Sequence, residues 1–440
     1  MIIIIIVLLA LILYWLYPNI CQILNKVGSA ESANIFDILE YLESASIDDI
    51  EKNIVPQLKN DVVCDKFIGE GYMGIVSESA IGPTVKMMIG KKEIEIPVVI
   101  KKSKKNSESI FGTYKGKTRL IVYSFQDITA EAIILLAIKR LWVKQESPHL
   151  PLMVGYGTCG DNFINTIITE KQGLKEEYVY PKDYVDDSPL YIENSKTEPN
   201  IRTSMTTLRE LLYFVMANLE SRNTSLESRN TFLDGDKCVL PNGVVCDVPK
   251  LVDYICISYL HTYNLLFDNG IALFDMSLDN IFIHWLNDSS YMGERNIKNT
   301  EFIYYKSNTT QKYIEINTYG FLLKVGDIGC SIYKIRDDLF VLGMAGNPRL
   351  CDDIIDDIYN KVYTYGSFLF SVNMFLTPHN IRTKTNIYEI ICNPPFDGYL
   401  FNYTPTKRIM KSIPSPNELL SKFTKYMVDE PQKNDKSIII

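Results

Sequence analysis

At 440 residues, with 46% hydrophobic and 11% aromatic side chains, the chain is long enough for two compact units with buried cores and too apolar for a disordered polymer. A formal net charge of -8 excludes an electrostatic case for a nucleic-acid partner: phosphate-backbone binding takes concentrated Lys and Arg, and only the KKSKK run at 101–105 is clustered. Nine scattered cysteines without a CxxC pair exclude a zinc site or a disulfide framework and fit a reducing compartment.

Residues 1–17, MIIIIIVLLALILYWLY, form an uninterrupted apolar run ending in Tyr14, Trp15 and Tyr17. About 17 to 25 such residues span a bilayer as a helix, and Tyr and Trp settle at its interface. No basic residue precedes the run and bulky residues follow it, so the pattern predicts an uncleaved signal anchor over 1–20 instead of a cleaved signal peptide. The first basic residue, Lys26, predicts a single-pass protein with its bulk on the cytosolic, nuclear or virion-interior side. A juxtamembrane helical linker over 21–60 comes next. Ile35, Ile38, Leu39 and Leu42 recur at helical spacing, and Ser46 to Asp49 reads as a capping box opening a second helix that Pro56 ends.

From residue 66, KFIGEGYMGIVSESA reads as strand, glycine-rich turn and strand. Gly69, Gly71, Gly74 and Val76 fit GxGxxGxV, where missing Cβ atoms let backbone N–H groups approach phosphate oxygens; an ordinary hairpin turn is the plainer alternative. The motif is followed by strand, which argues against a Rossmann turn, where it must open a helix. The next strand, IEIPVVIKK, carries Lys101 in a VVIK pattern that aims a lysine at nucleotide phosphates. Its candidate partner is Glu131, which opens the apolar helix EAIILLAIKRLW; a local shift would substitute Lys102 or Asp127. Two further strands, SPHLPLMVGYGTC and FINTIITEKQGL, follow, and the second ends at Thr169 and Glu170.

The polar, acidic stretch 174–205 reads as an exposed loop, and LESRNTS followed by LESRNTF is a tandem duplication too short for a solenoid. The helix LVDYICISYLHTYNLLF, with His261 on its face, leads through an Asp268-Asn269-Gly270 turn into LFDMSLDNIFI, where Asp275 and Asn280 stand five residues apart. Residues 286–315 read as a hairpin extending away from any site, before KVGDIG brings in Asp327. Apolar helices return beyond 350, the last with Ser415 ahead of Pro416, and the tail PQKNDKSIII reads as frayed.

The ordered set GEGYMGIV, VVIK, a helix glutamate, FDMSLDN and KVGDIG resembles the eukaryotic protein-kinase superfamily over about residues 61–440, and the conjunction is far more specific than any one motif. The resemblance implies an α+β, bilobal protein-kinase-like fold behind the N-terminal transmembrane helix. A small β-rich lobe would span 61–170, and a larger, mainly helical lobe 171–440, with insertions near 174–250 and 286–315. It implies transfer of the γ-phosphate of ATP, with Mg2+, to Ser or Thr of a protein substrate. Asp275 would handle the acceptor hydroxyl, Asn280 and Asp327 would hold the metal, and Lys101, oriented by Glu131, would position the phosphates. Gly69, Glu70, Gly71, Gly74 and Val76 would cover them, and Thr169 and Glu170 would begin the hinge that meets adenine. SPHLPLMVGYG is similar to the matching stretch of divergent kinases of large DNA viruses, and the apolar N-terminus to envelope proteins of insect nuclear DNA viruses. Those likenesses imply membrane contact through residues 1–17 and other membrane or virion envelope proteins as partners.

The departures from the family are specific. Leu273-Phe274-Asp275 stands where the family has His-Arg-Asp, so the arginine that meets an activation-loop phosphate is absent. Ser277 replaces the lysine of most Ser/Thr kinases; loss of that cation removes on the order of several kcal/mol of transition-state stabilisation unless another group supplies it. GNPRL at 346–350 stands where APE would, and Asp353 and Asp357 remain equal candidates for the aspartate of the next helix. The alternatives are a pseudokinase-like ATP-binding or scaffold protein and a kinase of small molecules or lipid head groups.

Overall fold

The computed structural model describes residues 31–50, 67–70, 74–78, 84–89, 92–103, 120–123, 128–157, 166–173, 178–181, 200–203, 206–224, 236–273, 276–308, 310–342, 368–369, 371–373, 375–376, 384–386 and 415–440. In chain order the first elements are α1 (Glu31–Ser44), β1 (Phe67–Glu70), β2 (Gly74–Glu78), β3 (Thr84–Ile89), β4 (Lys92–Ser103), β5 (Leu120–Tyr123), α2 (Thr129–Val143), β6 (Met153–Gly157) and β7 (Thr166–Glu170). Then come β8 (Tyr178–Pro181), β9 (Asn200–Thr203), α3 (Leu208–Thr224), β10 (Lys237–Val239), β11 (Val245–Asp247), α4 (Val248–Asp268), β12 (Ile271–Ala272), β13 (Ile281–Trp285), β14 (Tyr291–Met292) and β15 (Arg295–Asn296). The remainder are β16 (Phe302–Lys306), β17 (Tyr313–Asn317), β18 (Phe321–Val325), β19 (Ile332–Arg336), β20 (Leu339–Leu342), α5 (Pro416–Leu420), β21 (Met427–Val428) and β22 (Ser437–Ile439).

The first half follows its sequence pattern closely. Ile38, Leu39, Leu42 and Ile50 are buried, and Ser46 Oγ accepts the Asp49 N–H at 3.1 Å as the expected cap; Pro56 lies outside the described residues. An antiparallel sheet runs in the order β1-β2-β4-β7-β6, with β3 paired to the leading half of β4. Strict alternation on β4 buries Ile94, Ile96, Val98 and Ile100 on one face and puts Lys101 on the other. Helix α2 is apolar nearly all round and correspondingly buried, contacting α1, β5, β6 and β20. Arg140 on α2 fixes α1 through Glu43 at 2.6 Å.

The second half corrects the expected architecture. Among the described residues the arrangement is mixed α and β with seven sheets, not a strand-rich lobe followed by a mainly helical one. Strands β8 to β22 all fall after residue 171, because segments expected as loops pair with each other. Within the stretch 174–205, β8 pairs β9; β13 pairs β18; β12, β19 and β20 form a sheet that β5 joins in parallel. The hairpin of β16 and β17 does not reach away from the protein: Ile303, Tyr304 and Tyr305 are buried. The tail is not frayed either. Its β22 lies parallel to β16 and its β21 pairs β17, completing a four-stranded sheet.

No helix among the described residues is long and apolar enough to cross a membrane, so none supports the expected transmembrane helix and single-pass placement; the run 1–17 on which they were read lies outside the described residues. Other expectations hold. Helix α4 ends in the Asp268–Gly270 turn, where Gly270 has φ of 80° and a Cβ would stand 2.6 Å from the Lys334 carbonyl oxygen. Ser415 caps α5 in a capping box with Glu418, with Pro416 in its first turn. The first copy of the duplication follows α3 to its last residue, Thr224, and Ser225 and the second copy lie outside the described residues.

Polar groups knit the interior. Tyr305 OH meets His149 Nε2 at 2.6 Å and Ser258 Oγ at 2.9 Å, while His149 Nδ1 bonds the Leu323 carbonyl at 3.0 Å. The Asp253 carboxylate, fully buried on α4, accepts from Tyr426 OH and Lys425 Nζ, each at 2.8 Å, which fastens the C-terminal segment to that helix. Burial lowers the pKa of His149 to about 3 and those of His261 and His284 to about 4, from an ordinary 6.5. All three are neutral when folded and protonate on unfolding in acid, so their contribution is intact above pH 6.5 and is lost as pH falls toward 4. The denaturant midpoint should therefore drop steadily between about pH 7 and pH 5, with proton uptake on unfolding approaching about three per chain. A midpoint independent of pH over that range contradicts this.

Candidate functional site

Three charged side chains from distant parts of the sequence meet where the first sheet, α2 and the segment after β18 converge. Lys101 is on β4, directly across from Val76 on β2 and Ile167 on β7, so its strand is paired on both edges and its Cα is fixed. Glu131 is in the first turn of α2. Asp327 follows β18 and starts a 3-10 turn, Ile328–Cys330, that packs against α2. Lys101 Nζ donates to both Glu131 carboxylate oxygens, at 3.0 and 2.8 Å, and to Asp327 Oδ1 at 2.9 Å. The last contact joins residues 226 apart in sequence.

Charge and burial set the character of the cluster. Burial opposes the Lys101 charge, but Glu131 and Asp327 outweigh it and hold its pKa above the ordinary lysine value. Glu131 is moved upward too, first by burial and also by Asp327, with Lys101 opposing; one ammonium is shared between two carboxylates. With Lys101 charged and both acids ionised, the cluster carries one excess negative charge, a setting that attracts a further cation. Asp327 is the open side: its side chain is 48% exposed, against 8% for Glu131.

Asp327 has φ of 38° and ψ of 61°, a left-handed conformation that Asp tolerates better than most side chains. Its neighbours hold it there. Gly326 N–H donates to the Asn280 carbonyl oxygen at 2.9 Å, and Ile281 pairs with Val325, so the backbone at Asn280 lies beside that at Asp327. Asn280 closes the turn Leu278–Asn280, anchored by buried Met276 and Leu278. Arg209 on α3 binds that turn through both Asp279 oxygens at 2.8 Å.

Of the residues expected from sequence, Lys101, Glu131 and Asp327 are joined directly, and Asn280 is brought alongside through its backbone. Gly69 and Glu70 pair with Val76 and Ile75, with a register shift at the start of β1, and Gly74 pairs with Ser103. Gly71 and Asp275 lie outside the described residues. Thr169 pairs with Val99 and Met153 inside the sheet. Glu170 differs from expectation. Its N–H donates to the Leu152 carbonyl at 3.0 Å and the Lys171 N–H to Pro97 at 2.7 Å, so neither is free for a base, and its carboxylate is turned into a buried polar network.

That network, with the Arg209–Asp279 pair, was missed in the sequence. Lys324 and Asp279 both sit inside the recognised motifs, so the signal was present as charges in apolar strands and turns. Among the described residues no group of three His, Cys, Asp or Glu is placed to hold a metal. Asp327 and Asn280 offer a carboxylate and a carboxamide, hard oxygen donors that suit Mg2+, which binds through one or two protein groups and keeps several waters. The chain matches no protein-family model, and no characterised protein matches it either.

Gly326 is a steric requirement of this arrangement: a Cβ there would run into the Phe282 ring across the hairpin. Gly326→Ala should destabilise the fold by about 1 to 3 kcal/mol through overpacking, and adding Phe282→Ala should reduce the Gly326→Ala penalty in a double-mutant cycle. Equal penalties in both backgrounds, read by chemical denaturation, contradict the contact.

Proposed function

We propose that the protein is a Mg-ATP-dependent phosphotransferase that modifies hydroxyl groups of a protein substrate. The observation that carries this is the Lys101 ammonium held between Glu131 and Asp327. A lysine fixed on a strand, oriented by a helix glutamate and in reach of a metal-type aspartate is the equipment that positioning a triphosphate requires. The order of the glycine turn, Lys101, Asp275, Asn280 and Asp327 along the chain supports the same reading through its resemblance to protein kinases.

Each residue has a distinct part. Lys101 binds phosphate oxygens and keeps its proton, because two acids surround it. Glu131 stops that ammonium from swinging away, and burial on α2 keeps the carboxylate in place. Asp327 and Asn280 are the groups that would hold Mg2+, and Asp275 is the group that would orient the acceptor hydroxyl. Mg2+, when bound, neutralises the charge that develops on the transferring phosphoryl group. Ser277 supplies no cation near it, so the rate depends more heavily on Lys101.

The test is labelling of a generic basic protein with radiolabelled ATP and magnesium. Asp327→Asn should lower labelling by about a hundredfold or more while leaving the circular dichroism spectrum unchanged, and Lys101→Met should lower it by as much per folded molecule. Wild type labelling no better than Asp327→Asn overturns the assignment. Ser277 favours a second reading, nucleotide binding without transfer. It predicts no labelling but a rise in melting temperature on adding ATP with magnesium.

A further inference from the structure

The buried polar network around Glu170 lies between the two structural parts that supply the site. Glu170 ends β7, whose neighbour β4 carries Lys101. Lys324 is on β18, three residues before Asp327, and β18 pairs with β13, which begins directly after Asn280. Lys324 Nζ is 3.2 Å from Glu170 Oε1 and donates to the Leu150 carbonyl at 2.8 Å; its side chain is 1% exposed. Glu170 Oε1 also accepts the Leu152 N–H at 2.9 Å. His284 on β13 stands on the other side, with Nδ1 3.7 Å from Glu170 Oε2 and 2.9 Å from Gln172 Oε1, and Nε2 2.9 Å from Ser290 Oγ. His284 is neutral at pH 7, so the charge facing Glu170 is that of Lys324.

We propose that the buried Glu170–Lys324 ion pair is a positioning device that joins the Lys101 sheet to the Asn280–Asp327 hairpin and so sets the Lys101–Asp327 contact. An ion pair taken wholly out of water is a poor source of stability compared with apolar packing, but breaking it strands a charge, so it enforces one geometry. Leu150 and Leu152 join the device through their backbone, since they lie in the segment linking α2 to β6 and bond to Lys324 and Glu170 respectively. The pair therefore ties three segments that would otherwise adjust independently: the connection from α2 to β6, the end of β7, and the strand before Asp327. Its consequence for catalysis rests on the phosphotransferase reading; its consequence for Lys101 does not.

The experiment uses the full chain with Glu170→Gln and Lys324→Met combined, which removes both charges at nearly constant volume, beside Glu170→Gln alone. Lys101 acylation by an N-hydroxysuccinimide ester, followed by mass spectrometry, reads the contact without any substrate. If Asp327 drifts from Lys101 the amine loses a carboxylate, its pKa falls and acylation should accelerate severalfold in the double variant, and at least as much in the single one, where Lys324 stays buried without its partner. In the transfer assay the double variant should lose about tenfold to a hundredfold in kcat per folded molecule, with KM for ATP changing less than about threefold. Unchanged Lys101 acylation overturns the proposal whatever the activity, and so does a lower melting temperature with unchanged acylation and kcat, which marks a merely structural pair. A wild type that transfers no phosphate removes the functional reading, while the acylation result still decides the positioning claim.

Discussion

One ammonium group organises this protein. Lys101 is fixed by a strand hydrogen-bonded on both edges, and its charge is divided between a buried acid on α2 and a half-exposed acid after β18. Remove it, and two carboxylates face each other at a point where the sheet, the helix and the hairpin meet, one of them buried with no compensating charge. The cost of a stranded buried charge is several kcal/mol, comparable with the whole stability of many domains. The cluster is therefore both a structural joint and the most reactive-looking polar group among the described residues.

The surrounding polar interior extends the same logic. Tyr305, His149 and Ser258 connect the β16 strand to the segment before β6 and to α4, and Asp253 ties α4 to the C-terminal segment through Tyr426 and Lys425. Buried polar groups demand specific partners where apolar ones accept many, so these contacts select one register for hairpins whose alternating sequences alone would tolerate several. The left-handed Asp327 belongs to this pattern: local strain is held by the Gly326–Asn280 hydrogen bond and by packing of the next turn on α2.

Much of the site was legible in the sequence because its parts are local patterns. VVIK, the glutamate opening an apolar helix, and the glycine before Asp327 each announce a strand, a helix start and a turn, and Lys101, Glu131 and Asp327 do meet. What was not legible depends on partners far along the chain. FIYYK and SIII give no sign that they pair, since a parallel strand match between residues 302 and 437 leaves no short-range pattern. For that reason the tail and the hairpin were misjudged as peripheral, and the expected helical half turned out strand-rich. The Glu170 side chain was not legible for a related cause: its partner Lys324 stands 154 positions later by number, and nothing near Glu170 in the sequence announces the pair.

The central claim is that Lys101, Asn280 and Asp327 form a site for a nucleotide together with its metal. The most direct measurement is isothermal titration calorimetry of ATP against the full chain, with and without magnesium, on wild type and Asp327→Asn. The account predicts binding by wild type that strengthens with magnesium, and loss of that magnesium dependence in Asp327→Asn. Absence of ATP binding by wild type in magnesium, or the same magnesium-dependent affinity in both proteins, contradicts it.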